Sequence, residues 1–143
     1  APCGCPGRYR LRLRGLDRDG CVLIRIELPY PVPLHALWLK HRGGGGIPTD
    51  RYKLYGRAAW AMIAQQRPAK AKGPVSVHIR LKAPDKRARD GDNLLKCLFD
   101  TLKTNGLIED DSNRVVRRHE LVWADDGPAC VVLIMPFSEA LAA

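Results

Sequence analysis

Apolar and polar residues alternate with period two at two places in the chain. Over residues 22–28, Ile24, Ile26 and Leu28 fall on one side and Leu23, Arg25 and Glu27 on the other, which predicts a strand with one fully buried face. Pro29, Pro31 and Pro33 end it. Over residues 75–82 the alternation is unbroken: Val75, Val77, Ile79 and Leu81 form an apolar face, and Ser76, His78, Arg80 and Lys82 a polar, largely basic one. Two stretches have the helical period instead. Pro48-Thr49-Asp50 is a helix start, followed by an apolar stripe of Tyr55, Ala58, Ala59, Met62 and Ile63 that Pro68 stops, with Arg51, Lys53 and Arg57 on the outside. Leu95, Leu98, Phe99 and Leu102 then recur at i, i+3, i+4, i+7, predicting an amphipathic helix over 93–104 that Asn105 and Gly106 terminate. Beyond residue 111 a strand runs to Trp123, Asp125-Asp126-Gly127 has hairpin chemistry, and the apolar run 131–135 suits a covered central strand. The order strand, helix, strand, helix, strand, strand predicts a small α/β or α+β domain: a mixed sheet packed by two main helices.

The segments between these elements are less regular. Residues 1–20 carry Arg8, Arg10, Arg12, Arg14 and Arg18 among Pro, Gly and Cys, the composition of a basic extension rather than a packed element. The alternation of those arginines with Tyr9, Leu11 and Leu13 also allows an edge strand turned by Asp19-Gly20. The domain proper is expected over 21–143. Lys40, His41 and Arg42 precede a run of four glycines, Gly43 to Gly46, read as a mobile loop beside DNA or as a plain connection.

With 143 residues the chain is expected to form one domain, which at this size buries roughly 70% of its unfolded surface. A formal charge of +9 changes the picture more, since such a surplus favours a polyanion, and nucleic acid is the usual one. Cys3, Cys5, Cys21, Cys97 and Cys130 are odd in number and lack paired zinc-ligand spacing, and no apolar run reaches membrane-span length. A reduced, cytoplasmic, membrane-free protein is the expectation. The glycine run lacks the Lys-Ser/Thr of a phosphate-cradling loop, so no nucleotide cofactor is expected.

The chemistry concentrates between Asp85 and Asp111. Asp90 and Asp92 stand at the predicted helix start, Lys96 one turn later, and Asp110 and Asp111 after a short apolar link. Singly, these are a helix cap, an Asp92–Lys96 pair worth ~0.3 kcal/mol, and a solvated turn. Together they are four carboxylates that repel one another unless a cation sits among them, and Lys86, Arg87 and Arg89 lead straight into them. Mg²⁺ takes one or two carboxylates plus water and phosphate, so a phosphodiester-cleaving centre uses every part.

D-G-D-N-L-L-K from Asp90 to Lys96, the helix through Phe99-Asp100-Thr101-Leu102, and Gly106-Leu107-Ile108-Glu109-Asp110-Asp111 resemble the RusA family of Holliday junction resolvases, with LPYP at Leu28 to Pro31 as a looser upstream match. The family's Ser- and Asn-rich turn is replaced here by Leu34, His35 and Ala36. The resemblance implies a symmetric homodimer acting on four-way junction DNA, and it makes Asp111 rather than Asp110 the third catalytic aspartate.

The resulting expectation is a Mg²⁺-dependent endodeoxyribonuclease, with Mn²⁺ as a substitute, that resolves Holliday junctions in recombination and repair. Asp90, Asp92 and Asp111 are its metal ligands, Lys96 a catalytic cation, and Asn93 and Asp110 supporting residues. Lys40, Arg42, Lys86, Arg87, Arg89, Arg114 and Arg117 are the expected DNA contacts. The competing readings are a non-catalytic basic DNA-binding protein and a metal nuclease of flaps or other branched DNA.

Overall fold

Strand β6 (Cys130–Pro136) lies inside a four-stranded mixed sheet of order β1-β6-β4-β5, built with β1 (Ile24–Leu28), β4 (Val75–Lys82) and β5 (Val116–Ala124). The structure, a computed structural model, describes residues 23–139. The expectations for residues 1–20, and those for Cys3, Cys5 and Cys21, lie outside them.

β6 is antiparallel to both neighbours, β1 and β4, whereas β5 runs parallel to β4 on the edge. Residues of one parity from three strands, Ile24, Ile26 and Leu28, Val75, Val77, Ile79 and Leu81, and Cys130, Val132 and Ile134, share a core with both helices, so α1 (Asp50–Gln66) and α2 (Asp92–Thr104) cover the same face. On the other face Val131 and Leu133 are flanked by polar side chains. These include the Arg25–Glu27 pair at 2.9 Å and the His78–Glu120 contact at 3.2 Å across β4 and β5. The basic face read from β4 is this helix-free side of the sheet.

Each helix forms where its ends are satisfied. Thr49 caps α1, its Oγ1 accepting from the Tyr52 amide at 3.1 Å, and Arg67 closes it in the left-handed region at φ 47°. The buried stripe of α1 is Tyr55, Ala59 and Ile63, narrower than the spacing predicts, with Ala58 exposed. In α2 the buried set is Leu94, Cys97, Leu98, Thr101 and Leu102, while Leu95 and Phe99 are only half-buried, so the helix is rotated by about one position from its predicted stripe. Thr101 is tolerated in the core because its hydroxyl donates to the Cys97 carbonyl at 2.7 Å. Asn105 and Gly106 end α2 as expected, Gly106 at φ 71° and the Leu107 amide reaching back to the Leu102 carbonyl at 2.9 Å.

The glycine run connects the strands of a two-stranded ribbon, β2 (Trp38–Lys40) and β3 (Gly46–Pro48), with Gly44 and Gly45 at φ 78° and 89°. One expectation needs correcting: β5 and β6 do not form a hairpin. Asp125-Asp126-Gly127 does turn, with Gly127 at φ 88°, but the connection passes the end of β4, which lies between the two strands. β6 is apolar on both faces and needs a neighbour on each side; β5, mostly polar, tolerates the edge.

Candidate active site

Strand β4 delivers the chain to a loop that ends at the start of α2, and α2 returns it to β5; this parallel β4-α2-β5 unit places the acidic motif. Within the loop Asp85 accepts from the Arg87 amide at 2.9 Å and from the Arg89 guanidinium at 2.7 Å. Those two bonds hold the Asp85 carboxyl below its ordinary range. Arg89 also lies over the Tyr30 ring, 5.7 Å from its centroid, so it is a fixed guanidinium while Lys86 and Arg87 are exposed.

Arg89 and Asp90 line a cavity of about 190 Å³ together with Tyr30, His35, Asn93 and Leu94. Tyr30 comes from the LPYP segment and His35 from the Leu34-His35-Ala36 turn that follows it. The cavity therefore joins the two parts of the sequence resemblance. Asp92 opens α2, its Oδ1 accepting from the Asn93 amide at 3.0 Å. Gly91, at φ −65° and ψ −33°, separates the two aspartates, and a Cβ there would meet Leu121 Cδ2 of β5 at 3.1 Å. A side chain between the carboxylates is thus disfavoured by close packing against Leu121, not by backbone geometry.

Lys96 does not pair with Asp92. Its Nζ donates to Asp100 Oδ1 at 2.7 Å and stands 3.8 Å from Asp111 Oδ2. The Asp100 hydrogen bond is the main reason its pKa is raised, with the Asp111 charge adding to it. Lys103, about two turns further along, contacts Asp110 at 3.0 Å and Asp111 at 3.4 Å. Asp110 is driven below the usual carboxylate range by hydrogen bonds from Ser112 and Lys103.

The fold thus brings Asp111, distant in sequence, back to Lys96, and it places Asp90 and Asn93 on one cavity. Among the described residues no three His, Cys, Asp and Glu side chains are grouped to hold a metal ion. The carboxylates of Asp110 and Asp111 are taken up by the α2 lysines. In kind, the donors suit Mg²⁺: all are hard carboxylate oxygens, Asp92 at the start of α2 and Asp90, Asp110 and Asp111 in the connections on either side of it, and Mg²⁺ needs few of them beside water and phosphate. Asp100 and Lys103 are the residues that sequence reasoning passed over. Their signal was the i,i+4 and i,i+7 spacing from Lys96 on one helix face.

The other cations expected to meet DNA lie at the surface. Lys40, Arg42 and Arg114 are exposed, the first two at the tip of the β2–β3 ribbon. Arg117 is also exposed but is tied to the Asn113 carbonyl at 3.0 Å and lies over Phe137. No helix among the described residues is long and apolar enough to cross a membrane.

The family described as Endodeoxyribonuclease RusA matches residues 29–137. Among curated proteins the chain is 31% identical over 109 residues to the crossover junction endodeoxyribonuclease RusA of Aquifex aeolicus (strain VF5), covering 75% of this chain and 86% of that protein. It is 34% identical over 95 residues to the protein of the same description from Enterobacteria phage HK97, covering 63% of this chain and 78% of that protein.

Proposed function

The chain belongs to the RusA family of endodeoxyribonucleases, and from that premise we propose that it resolves four-way DNA junctions by metal-dependent phosphodiester hydrolysis, acting in the cytoplasm as a homodimer. The observation that carries the reading is the return of Asp111 to within 3.8 Å of Lys96, one helical turn after the Asp90-Gly91-Asp92 turn.

Asp90, Asp92 and Asp111 are the residues that would hold Mg²⁺, for which Mn²⁺ is the substitute. A bound ion would lower the pKa of a water for attack at neutral pH and offset charge on the phosphate. The chain's own residues do the rest. Lys96 carries a fixed positive charge toward the phosphoryl oxygens as their negative charge grows, and Asp100 sets where that ammonium stands. Asn93 offers an amide into the cavity it shares with Asp90, where it orients a carboxylate or a phosphate. Asp110 keeps Lys103 engaged beside Asp111. Lys86, Arg87, Lys40, Arg42 and Arg114 supply exposed charge for the flanking phosphates. A homodimer has two equivalent centres, matching the two strands that must be cut.

Cleavage of a four-way junction, a flap and a plain duplex at one salt concentration with Mg²⁺ tests this. Paired cuts in the junction and little in the duplex are expected. Equal cutting of the flap and the junction, or none of any, would refute junction resolution.

A further inference from the structure

We propose that Trp123 is a base-contacting residue: its indole, beside the Asp90-Gly91-Asp92 turn, takes the face of a nucleobase left unstacked next to the bond that is cut. This rests on the nuclease reading and adds to it a source of preference for branched over plain DNA.

Register and packing place the side chain. Trp123 pairs with Leu81 of β4, which is fully buried, so Trp123 points to the helix-bearing face of the sheet. There its Nε1 lies 3.7 Å from where a Cβ on Gly91 would stand, next to the two aspartates. On an inner strand such a residue would be covered. β5 is the edge strand, and Trp123 keeps 39% of its surface exposed. Leu121, one pleat earlier on the same face, makes the closer contact with Gly91, so the packing of the turn is met by Leu121 and does not call for an indole.

The chemistry of such a surface is specific. An indole with an open face stacks on any base, because every base has a π-face, and so holds nucleic acid without reading its sequence. In a regular duplex both faces of each base are already stacked. At a branch point held open, the bases that flank it have lost a stacked neighbour, and such a base meets the indole at less cost.

The experiment uses the full chain and a four-way junction carrying 2-aminopurine beside the branch, titrated in a chelator so that no strand is cut. Wild type and Trp123→Phe are expected to change the 2-aminopurine emission on binding. Trp123→Ala is expected to bind about tenfold more weakly and to leave the emission at its free-DNA value. Should Trp123→Ala not fold, Trp123→Leu, which keeps apolar volume and stacks poorly, is read in the same way. The wild-type emission change persisting in the folded Ala or Leu variant overturns the proposal. Wild-type cleavage with Mg²⁺ is followed in the same preparations. If it is present while the emission change survives loss of the indole, the base contact alone fails. If cleavage is absent while the emission change depends on the indole, the base contact stands and the nuclease reading fails.

Discussion

Asp100→Asn separates what holds the helix from what arranges the site. Asn keeps the shape and one acceptor of Asp100 but removes the charge that binds Lys96 Nζ at 2.7 Å. The pair is an i,i+4 contact with Lys96 half exposed, so its loss costs roughly 0.3–0.5 kcal/mol. In a domain of this size that lowers Tm by about 1–2 °C. The catalytic effect is expected to be larger. With Asp100 neutral, Asp111 at 3.8 Å becomes the dominant anion near Lys96, and the ammonium moves toward it and away from the substrate phosphate. A tenfold fall in the single-turnover cleavage rate, about 1.4 kcal/mol, is the expected scale for a misplaced charge. Urea unfolding and junction cleavage on one preparation give both numbers. A stability loss above about 2 kcal/mol would make the contact structural; an unchanged rate would show that Asp100 does not position Lys96.

Other consequences follow from single contacts. Gly91→Ala brings Cβ to 3.1 Å from Leu121 Cδ2 at a half-buried position, so a loss of about 1 kcal/mol, near 3 °C in Tm, is expected together with reduced cleavage as the aspartates shift; unchanged Tm and cleavage would contradict the packing argument. Asp110 has a depressed pKa in the folded state, so its contribution to stability is complete above the ordinary Asp value of about 3.9 and is lost as pH falls through the lower folded value. The stability gap between wild type and Asp110→Asn, from urea titrations, should be flat from pH 8 to about pH 5 and shrink only below about pH 4; a gap already closing at pH 6 would contradict this. Burial pushes the Cys97 thiol up to about 11 and Cys130 up to about 12. Peptide-mapped alkylation at pH 8 should therefore leave both unmodified until urea unfolds the chain.

The parts of the fold that a local pattern can specify were readable from residue types. Strand β4 follows from its strict alternation, and α1 begins where Thr49 can cap it. What local pattern does not carry is partnership. Asp125-Asp126-Gly127 turns as its residues dictate, yet the strands it joins are kept apart by β4, because the burial needs of β6 outweigh the nearness of β5 in sequence. The same holds in the site. Asp92 and Asp100 are equally spaced from Lys96, and periodicity cannot choose between them. The choice falls to Asp100 while Asp92 turns to the Asn93 amide at the helix start. The approach of Asp111 to Lys96 was legible through the resemblance of the motif. Its competition with Lys103 for that carboxylate became visible only with the geometry.

Asp111 tests the central claim most directly, since its carboxylate reaches Lys96 of the D-G-D-N-L-L-K motif from beyond the end of α2. Asp111→Asn, compared with wild type and Asp110→Asn on one four-way junction with Mg²⁺, should bind the junction at least as tightly as wild type, because a repelling charge is gone. It should cleave more than a hundredfold more slowly, while Asp110→Asn keeps most of its rate. Undiminished cleavage by Asp111→Asn, with its Tm unchanged, would contradict the assignment of these aspartates to the reaction.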